Sequence, residues 1–155
     1  MNITLENVTI REMTMNDHDE AVELWDQVPG ITLSDADSRE SIFRFLSRNP
    51  GTSLVAECEG RVIGTIMGGH DARRGYLHHL AVVPEFRGTG IANWLVDECL
   101  FRLREAGIDK CHLFVYREND RAVEFWTKTG WTQRTELEMF SKDIRDMENS
   151  NSGGD

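Results

Sequence analysis

Apolar positions change period several times along this chain, and each change marks an element. Val8 to Met13 alternates enough to predict a first strand. Thr14 or Asn16 can cap a helix with an acidic first turn (Asp17, Asp19, Glu20) and an apolar stripe of Ala21, Val22, Trp25 and Val28. Pro29-Gly30 ends it. Ser34 or Ser38 can cap a second helix, with Ile42, Phe45 and Leu46 on one face, stopped by Asn49-Pro50-Gly51. The apolar runs Ser53 to Glu59 and Val62 to Gly69, separated by Gly60-Arg61, predict a hairpin. A loop through Gly68 to Asp71 and Arg73 to Gly75 leads to a central strand, Leu77 to Val83, on which alternation sets His78 and His79 on opposite faces.

Pro84 helps to end that strand. The next helix carries Ala92, Val96, Cys99, Leu103 and Ala106 at gaps of four and three, a buried stripe closed by Gly107. Cys111 to Tyr116 alternates again as a strand. Asn119 then caps a helix with Ala122, Phe125 and Trp126 on its face, and Gly130 stops it. Trp131 begins a last strand running to about Phe140. The pattern predicts one domain over 1–141 and a polar tail without fixed structure over 142–155. No internal repeat is visible. The order is β-α-α-β-β-β-α-β-α-β, an α/β or α+β domain.

Composition narrows the function. The chain has 155 residues, enough for one sizeable core, with 39% hydrophobic and 28% charged residues. No apolar run approaches a membrane span and no leader opens the chain. Three scattered cysteines, Cys58, Cys99 and Cys111, form no zinc-spaced cluster, so no metal is expected and a reduced cytoplasm is the natural setting. Cys99 lies on the buried stripe and reads as core rather than nucleophile. The net charge of −10 speaks against nucleic acid as partner. It is compatible with a cationic amine drawn to an acidic surface, and equally with simple solubility.

The segment with the most chemistry is strand, glycine-bearing turn, helix: LAVVPEF followed by Arg87-Gly88-Thr89-Gly90-Ile91-Ala92. The first amides of a helix lack internal partners and attract anions. Glycines at 88 and 90 let a ligand approach the backbone. On these six residues alone a plain strand-to-helix turn is as good a reading. A Walker loop would need Gly-Lys-Ser/Thr, and a dinucleotide fingerprint a third glycine where Asn93 stands.

The turn resembles motif A of the GNAT (Gcn5-related N-acetyltransferase) superfamily, with Arg87, Gly90 and Ala92 on its fixed positions. Asn119-x-x-Ala122-x-x-Phe125-Trp126-x-x-x-Gly130-Trp131 resembles motif B. Parts of the chain, VIGTIMGGHD and VPEFRGTGIAN, are similar to bacterial GNATs of uncharacterised acceptor. The resemblance implies the GNAT fold, a mixed sheet with helices on both faces. It implies an N-acetyltransferase that moves the acetyl group of acetyl-CoA to a primary amine by direct attack. The alternative is an acyl-CoA-binding sensor or regulatory protein with little turnover.

The same resemblance implies roles for residues. Gly88, Thr89, Gly90, Ile91 and Ala92, with Arg87, would hold the pyrophosphate. The backbone of Leu80, Ala81 and Val82 would pair with the pantetheine arm, and an amide there, that of Leu80 first, would stabilise the oxyanion. Asn119 would contact the same arm, or act as N-cap, or both. YLHHLAV resembles the HLHALAV of arylalkylamine N-acetyltransferases: His78 falls on a relay histidine and Tyr76 on the other relay position. His78 is the expected base, with Glu57 and Glu85 weaker candidates. Trp126 stands where many members carry an acidic tyrosine. Indole cannot be that acid, so Tyr116 or water is the substitute and Trp126 would pack on the pantetheine. Residues 29–40 would help choose the acceptor. Asp35 and Asp37 there could meet a cation, but a solvated capping turn is the stronger reading. The acceptor is a small-molecule amine or a protein N-terminus or lysine, and the family allows a homodimer.

Overall fold

The computed structural model describes residues 5–148. These form two compact units that part between Tyr116 and Arg117. The first holds a five-stranded sheet in the order β1-β2-β3-β4-β5. Strands β1 (Val8–Glu12), β2 (Leu54–Cys58), β3 (Arg61–His70) and β4 (Gly75–Val82) pair antiparallel in sequence. Strand β5 (Cys111–His112) joins β4 in parallel. Helices α1 (His18–Asp26) and α2 (Arg39–Arg48) lie between β1 and β2, and α3 (Ile91–Glu105) between β4 and β5. The second unit contains α4 (Asp120–Lys128).

Capping explains where the helices start. Thr14 opens a 3₁₀ turn at Met15–Asp17 that runs into α1. Ser34 and Ser38 both act: Ser34 caps a 3₁₀ turn at Asp35–Asp37, and Ser38 accepts from the Ser41 amide at the head of α2. At the end of α3, Gly107 has φ +95° while Ile108 N–H reaches the Leu103 carbonyl and Gly107 N–H that of Arg104. That double bond pattern requires a left-handed residue, which glycine takes without strain.

Adjacent glycines of β3 show that helices cover both faces. A Cβ on Gly68 would lie 2.4 Å from Cys99 Sγ of α3. A Cβ on Gly69 would lie 2.7 Å from the Phe45 ring of α2. Successive side chains point to opposite faces, so α3 packs closely on one side and α2 on the other. The core is formed by such residues as Trp25, Leu54, Ile63, Ile66, Leu95 and Leu103, each 1% exposed or less. The Gly68 Cβ would also come within 2.6 Å of the Thr52 carbonyl, which is backbone and cannot swing aside. Gly68→Ala is therefore expected to destabilise the protein by about 1–3 kcal/mol, seen as an earlier thermal unfolding transition.

Several expectations need correction. The hairpin turn is Glu59-Gly60, both at positive φ, rather than Gly60-Arg61, because Cys58 pairs with Arg61. Gly68 to His70 belong to β3, since the hairpin with β4 continues to the pair His70–Gly75. On α3, Ile91 and Leu95 are buried while Ala106 is exposed. Strand β5 stops at His112 instead of Tyr116. Trp131 to Phe140 is not a strand: Leu137, Met139 and Phe140 are 59%, 69% and 93% exposed. Alternation alone makes no strand without a ladder partner and a buried face. Of the expected tail, 142–148 is irregular apart from a short turn. Residues 149–155 lie outside the described residues.

Candidate active site

The site starts from a β-bulge. Thr65 pairs with Ala81 and Met67 with His78, so His79 and Leu80 of β4 together oppose Ile66 of β3. His79 takes up the extra residue with φ +51°, a left-handed conformation that strains a non-glycine residue by about 1 kcal/mol or more. Thr65 helps to hold the bulge: its hydroxyl donates to the His79 carbonyl at 2.9 Å and accepts from the Trp25 indole at 2.8 Å.

The bulge overturns the expected alternation. His78 and His79 line the same cavity of about 450 Å³, on the α1 and α2 face of the sheet. Thr32, Ser34, Asp37, Phe45 and Met67 are among its other walls. His79 Nε2 meets Asp37 Oδ1 at 2.7 Å, and its ring lies 4.6 Å from that of Trp25. With Nε2 turned to the carboxylate, Nδ1 is the ring nitrogen that faces elsewhere. His78 rests edge-on against Phe45, ring centres 6.0 Å apart. Burial pushes its pKa below the usual 6.5, His79 pushes it the same way, and Asp37 opposes both. His78 is thus neutral at pH 7 and can accept a proton.

Asp37 was expected as a solvated capping residue. It is a cap, taking the Ser34 amide at Oδ2, but it is 9% exposed and its other oxygen belongs to His79. Its backbone carbonyl meets His18 Nε2 at 2.8 Å. His18 is buried, and its Nδ1 has no hydrogen-bond partner. The His79–Asp37 pair is what sequence reasoning missed. The available signal was the Ser34-x-x-Asp37 capping box, which fixes a carboxylate at that point, but not its partner.

Other candidates fall into place separately. Tyr116, 56% exposed, lies 3.2 Å through its hydroxyl from that of Thr32 on the cavity wall. Tyr76 stacks on Phe114 at 6.4 Å. Glu57 is drawn to Arg11, and Glu85 stands opposite Arg61 at 3.8 Å; neither lines the cavity. Arg73 and Arg74 belong to a turn whose amides both bond the Asp71 carboxylate.

Strand β4 parts from β5 after Tyr76, on the N-terminal side of the bulge. The parallel ladder has the pairs Gly75–Cys111 and Tyr76–His112. Among the described residues, Leu77 to Val82, including Leu80, Ala81 and Val82, have no strand on that edge. The chain then passes Pro84–Phe86, a 3₁₀ turn, into the glycine turn. Gly88 and Gly90 have φ +76° and +92°, and a Cβ at either would meet nothing within 4 Å. Their need for glycine is conformational, with open space in front. Gly90 is the N-cap of α3 and supplies no side chain, so no side-chain acceptor caps the first amides at Ile91 and Ala92. Arg87 Nε donates to the Val82 carbonyl at 3.3 Å, tying the turn to the strand exit. The Thr89 hydroxyl donates to the Phe86 carbonyl. This turn fits a phosphate-bearing co-substrate through main-chain amides.

In the second unit, Asn119 Oδ1 accepts from the Ala122 amide at 3.2 Å and acts as the N-cap of α4. Trp126 packs edge-on to Phe125 and Trp131, ring centres 4.9 and 5.2 Å away. The thiols serve packing: burial pushes Cys99 up to about 12, and Cys111 is raised for the same reason. Among the described residues no His, Cys, Asp and Glu cluster could hold a metal, and no helix is long and apolar enough to cross a membrane.

Comparison with known proteins agrees with this geometry. The profile of the Acetyltransferase (GNAT) family matches residues 16–131. An acetyltransferase of Photorhabdus laumondii is 38% identical over 138 residues, covering 86% of this chain and 93% of that protein. One of Pectobacterium atrosepticum is 32% identical over 139 residues, covering 90% and 98%. The crystal structure of the PaiA N-acetyltransferase of Thermoplasma acidophilum in complex with coenzyme A shares the fold, with a TM-score of 0.70, 22% identity, and 81% and 89% coverage. The sheet that opens between β4 and β5, the glycine turn at the head of α3 and these relatives lead to one conclusion: the chain belongs to the GNAT family of acetyltransferases and is an acyltransferase.

Proposed function

We propose that the protein transfers the acetyl group of acetyl-CoA to a primary amine by direct attack, with no acyl-enzyme. One observation carries this reading. The bulge sets His78, His79 and Asp37 around one cavity, on the strand whose other edge is open beyond Tyr76. An acceptor in the cavity and a thioester along that edge would meet at β4.

The chemistry follows from these groups. A primary amine has a pKa near ~10 and must lose a proton before it can attack. His78, neutral through burial, takes it. Asp37, held against His79, provides the negative charge that favours the imidazolium once it forms. The amine nitrogen forms the new C–N bond, the C–S bond breaks, and the electron pair leaves on sulfur. Tyr116, tied to Thr32 at the cavity wall, is the candidate donor to that thiolate. The amides from Gly88 to Ala92 bind the pyrophosphate, and those of Leu80 to Val82 hold the pantetheine and the oxyanion.

Asn119 caps α4, and Trp126 packs on Phe125 and Trp131 within the second unit. Thiol release from acetyl-CoA, assayed against a panel of amines and N-terminal peptides, tests the proposed transfer. Release that depends on an acceptor is expected. Acetyl-CoA binding in calorimetry without turnover would instead support the sensor reading.

A further inference from the structure

One wall of the acceptor cavity has a charge that the chain's overall acidity does not predict. Ser41, Arg44, Phe45 and Arg48 of α2 all line it. Their spacing, three, four and seven residues from Ser41, puts them on one helix face. Arg44 and Arg48 therefore lie one turn apart on the cavity wall, with Phe45 between them in sequence and on the same face. The Phe45 ring is the one His78 rests against. Met67 and Ala36 make other parts of the wall apolar.

Asp37 is the acid lining the cavity, and it is engaged: its oxygens bond His79 Nε2 and the Ser34 amide. Arg44 has an exposed partner, Glu40, at 3.5 Å. Such a surface pair contributes little and is easily exchanged for a better one. The cavity thus combines a basic centre for an amine, an apolar middle and a cationic rim. A polycation would be repelled at that rim.

We infer that the acceptor is a primary amine that also carries a carboxylate or phosphate, which Arg44 and Arg48 bind while the amine lies at His78. This rests on the proposed transfer to an amine and names the class of acceptor. Guanidinium is suited to both anions, since its planar fork can bond two of their oxygens together.

Matched acceptors test it. An amino acid is compared with its carboxamide, and an amino-sugar phosphate with the parent amino sugar, with a polyamine as cationic control. Wild type and the R44Q/R48Q double variant are assayed, with acetyl-CoA affinity measured separately by calorimetry. The expected result is a preference of about tenfold or more for the anionic member of at least one pair. That preference should disappear in the variant through KM rather than kcat, and weaken with added salt. The pair that shows it tells carboxylate from phosphate.

Equal use of charged and uncharged members, preference for the polyamine, or an unchanged KM in the variant overturns the inference and leaves the amine transfer intact. If acetyl-CoA binds but no amine is acetylated, the transfer reading falls. Calorimetry of the same amines on the CoA-bound protein then decides the cavity: selective binding of anionic members, lost in the variant, upholds the arginine site, and its absence refutes it.

Discussion

His78→Ala is expected to lower kcat/KM for the acceptor by about 100-fold or more, the usual range for a lost general base. Acetyl-CoA affinity should stay within about twofold, because the glycine turn is elsewhere on the strand exit. The pH dependence gives the sharper reading. His78 works only when neutral, so activity falls as pH drops through its folded pKa. Burial and His79 hold that value below 6.5. The acid limb of kcat/KM should therefore lie below 6.5.

The neighbours should move this limb in opposite directions. Asp37 raises the His78 pKa, so Asp37→Asn should shift the limb to still lower pH. His79 lowers it, so His79→Gln should shift the limb up. An unmoved limb in both variants, or full activity in His78→Ala, would remove His78 as the base.

Arg11→Met should be strongly destabilising although it lies away from the site. Arg11 reaches both Asp17 oxygens at 2.8 Å and also Glu57, linking β1 to the start of α1 and to β2. The Asp17 side chain is only 5% exposed. Removing the guanidinium leaves a nearly buried carboxylate beside a second one, which costs about 3 kcal/mol. For a chain of this size that is a fall of roughly 6–12 °C in Tm.

The sign with pH is fixed by Asp17. Burial alone would raise its pKa, but Arg11 and the Thr14 amide outweigh that and hold it below 3.8. Its stabilising effect is therefore fully present above 3.8 and is lost as pH falls through the lower folded value. In the variant the unpaired carboxylate gains from protonation instead. The stability gap between the two proteins should narrow in acid, measured by urea unfolding from pH 7 to pH 3. A constant gap would mean that Arg11 acts through packing alone.

Local signals made much of this fold legible. Ser34 and Ser38 stood out as alternative caps for one helix start, where the structure uses both, Gly107 and Gly130 marked two helix ends, and Pro84 the exit from β4. Each acts within a few residues, so it reads the same in the sequence and in the folded chain. The glycine turn was equally local: φ at Gly88 and Gly90 needs only the glycines themselves. Segments that need distant partners were misread. Trp131 to Phe140 alternates like a strand yet forms none, and Cys111 to Tyr116 stops pairing after two residues.

The site divides along the same line. His78 was visible as a candidate because YLHHLAV resembles the HLHALAV of arylalkylamine N-acetyltransferases, where it falls on a relay histidine. Its partner was not. A strand read by period sends His79 to the far face, and only the ladder with β3 shows an extra residue. That extra residue brings His79 round to Asp37, 42 positions away in sequence. The cationic rim was hidden for a different reason. A net charge of −10 averages over the whole surface, whereas Arg44 and Arg48 matter through which face of α2 meets the cavity. The sequence by itself determined the helix caps and stops and the backbone of the glycine turn at the head of α3, because these depend on neighbouring residues. The tertiary structure decided the histidine pair, its carboxylate and the charge of the cavity wall, because each depends on segments that only packing brings together.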